Sequence, residues 1–293
     1  MSERRTVAIT GADGLVGSHL ARHLASRGWS VRSLVRDPAG APDRFRCALP
    51  DEIDERGIAG ADWLVHCAYT SRFRSLAEAR RTNEEGTARV LALCRAHGVR
   101  FCFVSTTSAH EGALSYYGRS KLALERSLEP ERDLVIRPGL VLAPSGGGLF
   151  ARIRASLERT GVVPLFDGGR QRVQTVHVRD LCAAFERALA DERTGTFVVA
   201  EPDGVELREL FAVTARLLGI RARFVPLPSA PVLLALRAAE RLRIPLPISS
   251  ENLLGLRSLR VMPSRADLDS LGVRARPAAE SLAAILDSRG AER

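Results

Sequence analysis

The chain of 293 residues, 45% hydrophobic and 26% charged, is long enough to bury a substantial core and to form one large or two smaller domains. It carries no apolar run of membrane-spanning length and no apolar leader after Met1, so a cytosolic protein without a membrane partner is expected. The net charge of +9 raises nucleic acid as a partner, but arginines alternate with acids, as in residues 206–209 and 237–241, and no aromatic platforms interleave with them, which argues for solvated helix faces. The five cysteines, at 47, 67, 94, 102 and 182, form no C-x-x-C pair, so neither a metal site nor a disulfide is expected.

Residues 6–9, Thr-Val-Ala-Ile, read as a short buried strand, and an amphipathic helix follows through Leu20, Leu24 and Ala25 to Gly28. Between them runs Thr10-Gly11-Ala12-Asp13-Gly14-Leu15-Val16-Gly17. Three glycines at this spacing permit a tight turn, close approach of backbone to a pyrophosphate, and close packing of helix on sheet. Free amides and the macrodipole at the helix start attract phosphate, so the segment reads as a nucleotide cradle.

Residues 31–35, 45–48, 63–66, 101–104 and 134–137 are further strand candidates, separated by helical patterns such as 77–97. Asn83, in that stretch, suits a helix cap as well as a site role. The alternation predicts an α/β fold with a parallel, doubly wound sheet. Gly146-Gly147-Gly148 and Gly168-Gly169 bracket a short helical excursion. Past residue 204 the chain turns mainly helical, punctuated by Pro226, Pro228, Pro231, Pro245 and Pro247. The apolar run 232–236 reads as a helix covering a substrate pocket in preference to a membrane contact.

The chain has a single lysine, Lys121, among 43 Lys and Arg residues. It stands four residues after Tyr117, so on a helix the two share a face one turn apart. A guanidinium does not imitate the compact ammonium. A cation held near a phenol favours the phenolate and lowers its pKa, which makes Tyr117 a usable acid/base near neutral pH. An arginine coding bias that spared one lysine is the plain alternative, and Tyr-x-x-x-Lys alone is a weak pattern. The upstream glycine cradle gives it weight.

Together, Gly11, Gly14, Gly17 and the pair Tyr117/Lys121 closely resemble the extended short-chain dehydrogenase/reductase family, which includes nucleotide-sugar epimerases and dehydratases. Residues 62–68 look like the family's fourth strand and its cofactor edge, 83–87 like the start of its next helix, and 101–107 like the strand ending in its catalytic Ser/Thr. Residues 137–141 and 174–180 resemble two later segments near the nicotinamide and the substrate domain. The match covers nearly the whole chain and is least specific after about residue 225. The resemblance implies a Rossmann-type dinucleotide-binding domain over 1–148 and 172–200, and a smaller, mainly helical substrate domain over 149–171 and 201–293. It implies cofactor contacts from Gly11, Ala12, Asp13, Gly14, Leu15, Val16, Gly17, Arg36, Ala68, Lys121, Pro138 and Val141. It implies a small-molecule substrate, a nucleotide sugar among the options, and leaves a homodimer open.

The implied chemistry is reversible hydride transfer between nicotinamide and a carbonyl or alcohol carbon. Tyr117 handles the proton, Lys121 tunes the tyrosine and holds the nicotinamide ribose, and Thr106 binds the substrate oxygen; counting back from Gly112 would place that hydroxyl at Thr107 instead. Asn83 resembles a position that supports the lysine through water, and His177 reads as a structural hydrogen-bond partner in preference to a catalyst. Only ten or eleven positions separate the Thr from Tyr117, so part of the usual substrate wall is missing or supplied elsewhere. At the end of the second strand Val35 stands where an NAD-reading acid is expected, with Arg36 next; this favours NADP, although a one-residue slip would let Asp37 accept a ribose hydroxyl and bind NAD. Thr107 and Ser108, not an acid, follow Thr106, which disfavours dehydration. Ketone reduction ranks ahead of nucleotide-sugar epimerisation. A non-catalytic redox sensor that only binds dinucleotide is the alternative of another class, and such relatives commonly lose the tyrosine or lysine kept here.

Overall fold

The structure is a computed structural model and describes residues 4–71, 73, 75–144, 149–244, 246 and 248–287. Gly146-Gly147-Gly148, Pro245 and Pro247, singled out in the sequence, lie outside the described residues. The chain opens with β1 (Thr6–Thr10), α1 (Leu15–Ser26), β2 (Ser30–Val35), β3 (Arg44–Ala48), β4 (Glu52–Ile53) and β5 (Trp63–His66). It continues through α2 (Leu76–Arg80), a π turn over Arg81–Glu85, α3 (Gly86–Ala96), β6 (Arg100–Val104), α4 (Tyr116–Glu125), β7 (Leu134–Pro138) and β8 (Leu140–Leu142). Next come α5 (Leu149–Thr160), β9 (Val162–Phe166), β10 (Arg172–Val173), β11 (Thr175–His177), α6 (Val178–Ala190), β12 (Gly195–Val199) and β13 (Val205–Glu206). The last elements are α7 (Leu207–Leu217), β14 (Arg223–Leu227), α8 (Ser229–Arg241), α9 (Ser250–Arg257), α10 (Arg265–Leu271) and α11 (Ala278–Asp287).

The main sheet has eight strands in the order β12-β7-β6-β5-β1-β2-β3-β4, parallel throughout except for the β3–β4 pair. Strand order therefore runs outward in both directions from β1 and β5, which leaves a crevice beyond their carboxyl ends. Successive side chains of the strands alternate between two cores. Val7, Ile9, Trp63, Val65, Cys102 and Ile136 face Leu20 and Leu24 of α1 and the apolar stripe of α6. Ala8, Leu64, Phe101, Phe103 and Val135 face Val90 and Cys94 of α3 and Leu124 of α4. Both faces being covered is why these strands read as apolar runs.

The remaining elements build three two-stranded ladders, β8–β11, β10–β13 and β9–β14, and a further core in which Phe150 and Leu157 of α5 meet Leu210 and Phe211 of α7 and Leu282 and Ile285 of α11. α8 and α9 close over a smaller cluster of Phe166, Leu233, Leu236 and Leu253. One segment crosses the expected boundary at residue 201. Leu268, Leu271 and Ala275, in and after α10, join the α1/α6 core of the main sheet, because the carboxylate of Asp267 accepts the Val198 amide of β12 at 2.7 Å and anchors the helix there.

Candidate active site

The glycine turn follows β1 directly. Gly11 sits at φ +63°, and a Cβ there would lie 2.9 Å from the backbone of Ala68; a Cβ on Gly17 would collide with the Gly11 carbonyl. Side chains at either place would force β1, the turn and α1 apart. No side chain caps α1 at Gly14 and its first turn holds no acid, so the amides of that turn face outward with the positive end of the helix dipole. Ala12 is buried beneath the turn, and Leu15 and Val16 pack partly on the α1 core. These features fit a dinucleotide pyrophosphate.

A hidden polar chain fixes the two central strands beside the turn. The Thr87 hydroxyl donates to the Asn83 carbonyl at 2.5 Å, so at 3.0 Å from His66 Nε2 it accepts, and that nitrogen carries the proton. Nδ1 then accepts from the Thr10 hydroxyl at 2.8 Å, and the Thr10 oxygen takes the Ala68 amide at 3.2 Å. Burial, reinforced by Lys121, pushes His66 down to about 3, so it stays neutral.

At the end of β2, Arg36 is exposed. The Asp37 carboxylate turns back on its own loop and accepts the Ala39 amide at 3.2 Å. Asp13, in the glycine turn, is held by both its oxygens at 2.9 Å from Arg44, at the start of β3. Arg44 escaped the sequence reading because nothing local marks it; only the β2–β3 pairing brings it to the turn.

The second half of the site lies where β6 ends and α4 begins. Ser115 caps α4 by accepting the Gly118 amide at 3.3 Å. Tyr117 and Lys121 follow one turn apart on that helix, with Tyr117 39% exposed and Lys121 only 3%. The Thr106 hydroxyl takes the Ser108 amide at 3.2 Å and is close enough to the Tyr117 phenol to pull its pKa down, while Thr107 spends its amide on the Pro138 carbonyl at 3.0 Å, joining the ends of β6 and β7. Lys121 Nζ donates to the Val104 carbonyl at 2.6 Å and lies 4.4 Å from the Phe103 ring centre and 4.6 Å from that of Tyr69.

The pKa of the Tyr117 phenol is not lowered by the lysine as its spacing predicted. Crowding by protein raises the Tyr117 pKa, and the nearby Thr106 hydroxyl opposes that rise. The group displaced downward is Lys121 itself, to about 7, because burial penalises the ammonium more than Cys67 and Glu125 support it.

Around the pair stand residues the sequence reading missed. Tyr69 meets Tyr117 edge-to-face with ring centres 5.2 Å apart, and its hydroxyl is 2.9 Å from Ser120 Oγ. Tyr69 and Tyr116 thus frame Tyr117, the chain's third tyrosine, from the loop after β5 and from the first turn of α4. Glu125, four residues beyond Lys121, binds Ser105 and the guanidinium of Arg137 through both carboxylate oxygens, with the two charged side chains 7% and 17% exposed. The i, i+4 spacing of Lys121 and Glu125 was the available signal. Above, Glu251 on α9 accepts the Tyr116 amide at 2.5 Å, and the Tyr116 hydroxyl donates to Glu84 at 3.1 Å.

Of the other predicted residues, Asn83 does not cap a helix. Ser75 does that for α2, and the Asn83 amide pairs with both backbone groups of Thr70 at 2.8 and 3.0 Å, pinning the loop after β5. His177 caps α6, accepting the Arg179 amide at 3.1 Å, with its pKa pushed down to about 4 by burial first and Arg276 second. Val141 is half-buried on β8, paired with Val176 of β11 and removed from the glycine turn in sequence but joined to the same core. All five cysteines are free, and among the described residues no cluster of His, Cys, Asp and Glu has the makings of a metal site.

A doubly wound sheet with a glycine cradle at its reversal point defines a dinucleotide-binding α/β protein. The chain belongs to the NAD dependent epimerase/dehydratase family, which its residues 7–200 match, and is thereby an enzyme of the nicotinamide-dependent reductase and epimerase type. It is similar to the ceramide reductase of Caulobacter vibrioides, 32% identical over 249 residues that cover 79% of this chain and 76% of that protein. It is also similar to the dTDP-4-dehydro-6-deoxy-D-allose reductase of Streptomyces bikiniensis, 27% identical over 279 residues that cover 78% of this chain and 86% of that one. Among solved structures, MoeE5 in complex with UDP-glucuronic acid and NAD superposes with a TM-score of 0.76 at 23% identity, covering 98% of this chain and 100% of that one; the likeness is one of fold. The human epimerase family protein SDR39U1 with NADPH gives 0.75 at 20% identity, covering 96% and 99%.

Proposed function

We propose that this protein is an NADP-dependent reductase of a ketone-bearing small molecule, with Tyr117 as the proton donor. The observation that carries the reading is Tyr117 standing half-exposed one helical turn before a buried lysine whose Nζ donates to the Val104 carbonyl at the carboxyl end of β6. The raised Tyr117 pKa keeps the phenol protonated at neutral pH, as reduction requires of a group that delivers a proton to a carbonyl oxygen. Thr106 orients that phenol and offers its own hydroxyl to the same oxygen. Lys121 is held near its titration point and so passes a proton readily. When bound, the dinucleotide supplies the hydride. The amides of Leu15 and Val16 receive its phosphates, while the Gly14 amide closes the turn on the Gly11 carbonyl at 2.8 Å.

The preference for NADP rests on Arg36 being exposed at the end of β2 while the Asp37 carboxylate is engaged by the Ala39 amide. Segments 149–171 and 201–293, apart from α10, carry the substrate side in this reading. The ceramide and sugar reductases among the relatives put a lipid ketone and a keto sugar first among substrates. The purified protein, screened with keto-lipids, simple ketones and keto nucleotide sugars, should consume NADPH with at least one class. Interconversion of UDP-sugar epimers without net cofactor consumption would replace the reductase reading with the epimerase one. A co-purified dinucleotide with no turnover on either panel would favour the redox sensor.

A further inference from the structure

Helix α8 carries two apolar faces. Leu233 and Leu236 point inward, against Phe166 and Leu253. On the opposite side Leu234, Ala238 and Leu242 succeed one another at i, i+4 and i+8, a straight stripe along the helix and its C-terminal residue. Leu234 is 68% exposed and Leu242 71%, the two most exposed large apolar side chains among the described residues. Ala230, Pro231 and Ala235 extend the stripe sideways. Beyond the left-handed turn at Arg243, φ +57°, Ile244 and Leu246 add further exposed apolar surface at 50% and 47%. Single exposed leucines are ordinary, whereas a contiguous strip of this kind marks a contact surface.

The charges beside the strip that no hydrogen bond engages are positive. Arg237, Arg241 and Arg243 are exposed along its edge and at its end. The acids of the neighbourhood are held by hydrogen bonds to neighbouring segments: Glu240 takes the Ser250 amide and hydroxyl at 2.6 and 2.7 Å, Glu251 the Tyr116 amide at 2.5 Å, and Asp167 the Ser229 amide at 2.9 Å. An amphipathic helix about 20 Å long with leucines outward and arginines at the rim suits the headgroup boundary of a bilayer, where it would lie in the plane. Among the described residues no helix is long and apolar enough to cross a membrane, so the contact is peripheral.

We propose that α8 and the turn after it dock on an anionic lipid surface. The site lies directly behind this face, since α9 packs on α8 and reaches α4 through Glu251. An amphiphilic molecule leaving the bilayer would therefore meet the cleft wall first. The sequence favoured a pocket cover for this run; in the structure Leu233 and Leu236 pack inward on Phe166 and Leu253, while Leu234 and Leu242 face outward. The proposal stands whether or not the reductase reading holds, because its test needs neither cofactor nor substrate.

The experiment is co-sedimentation of the whole protein with vesicles of phosphatidylcholine alone and of phosphatidylcholine with phosphatidylglycerol. Binding is expected with the anionic vesicles and should weaken as salt rises. The double substitution Leu234→Ser, Leu242→Ser should weaken it about ten-fold or more, and Arg237→Gln, Arg241→Gln should remove the preference for anionic lipid. Circular dichroism and light scattering establish that each variant is folded and what size it is. If the serine variant fails to fold, the glutamine variant decides. No binding to anionic vesicles, or binding that folded variants retain in full, overturns the proposal. So does a stable dimer of the intact protein that ignores vesicles and is split by the serine substitutions, which would make a second copy the occupant of the strip.

Discussion

The ammonium of Lys121 lies 2.6 Å from the carbonyl oxygen of Val104, at the end of the strand that leads into Thr106. The chain's one lysine is therefore tied to the backbone beside the proposed proton donor and buried, with its pKa lowered to about 7. In the unfolded chain the same amine titrates near 10.5. Between these values the unfolded state binds more protons, so this group makes the cofactor-free protein more stable as pH rises. The gain should be visible from about pH 7 to 8, before the five unfolded-state thiols ionise and reverse the slope. Urea unfolding across this range should show it, and Lys121→Met should flatten it; an identical slope in the variant would place the lysine's titration elsewhere.

Tyr117→Phe should lower turnover by about 10²–10⁴-fold while leaving cofactor affinity within a few fold, because it removes a proton donor and little packing. Tyr116→Phe should act on stability, by about 1 kcal/mol, since it deletes the hydrogen bond to Glu84 and not the acid. Steady-state kinetics beside cofactor titration separate the two. A Tyr117→Phe enzyme with most of its activity would refute the assignment.

Arg36→Ala should weaken NADP binding by about 1.5–3 kcal/mol, the scale of a charge-assisted hydrogen bond, and leave NAD almost unchanged. Equal losses for both nucleotides would point instead to Arg44, whose grip on Asp13 shapes the glycine turn for either one.

Glu125→Gln should destabilise the fold by about 3–5 kcal/mol, because it strands the Arg137 guanidinium in a nearly closed pocket. Thermal unfolding reads this directly. Replacing both partners, with Arg137→Met added, should recover much of the loss; a double variant no more stable than the single one would show that the pair does more than satisfy its own charges.

Acid should unfold the protein through His66. Its folded pKa of about 3 lies below the ordinary 6.5, so the stability it contributes is present above pH 6.5 and falls away as pH drops towards 3. The loss is on the order of a few kcal/mol for a fully buried imidazole. His66→Gln should shift the midpoint of acid unfolding to lower pH relative to its own neutral-pH stability.

The parallel sheet, the glycine turn and the Tyr117/Lys121 helix were legible in the sequence because each is a local pattern: an apolar run, a fixed glycine spacing, an i, i+4 pair. Strand bounds at Trp63–His66 and Leu134–Pro138 fell where the apolar runs stood, since strands covered on both faces cannot alternate with polar residues. What the chain could not disclose were relationships across long separations. Arg44 on Asp13, Glu251 on the Tyr116 amide and Asp267 on β12 join residues 31, 135 and 69 positions apart, and no local rule selects them. The same holds for the proton balance of the site. The spacing of Tyr117 and Lys121 promised a lowered phenol pKa, but desolvation is a property of everything packed around a group, and it moved the lysine down and the tyrosine up.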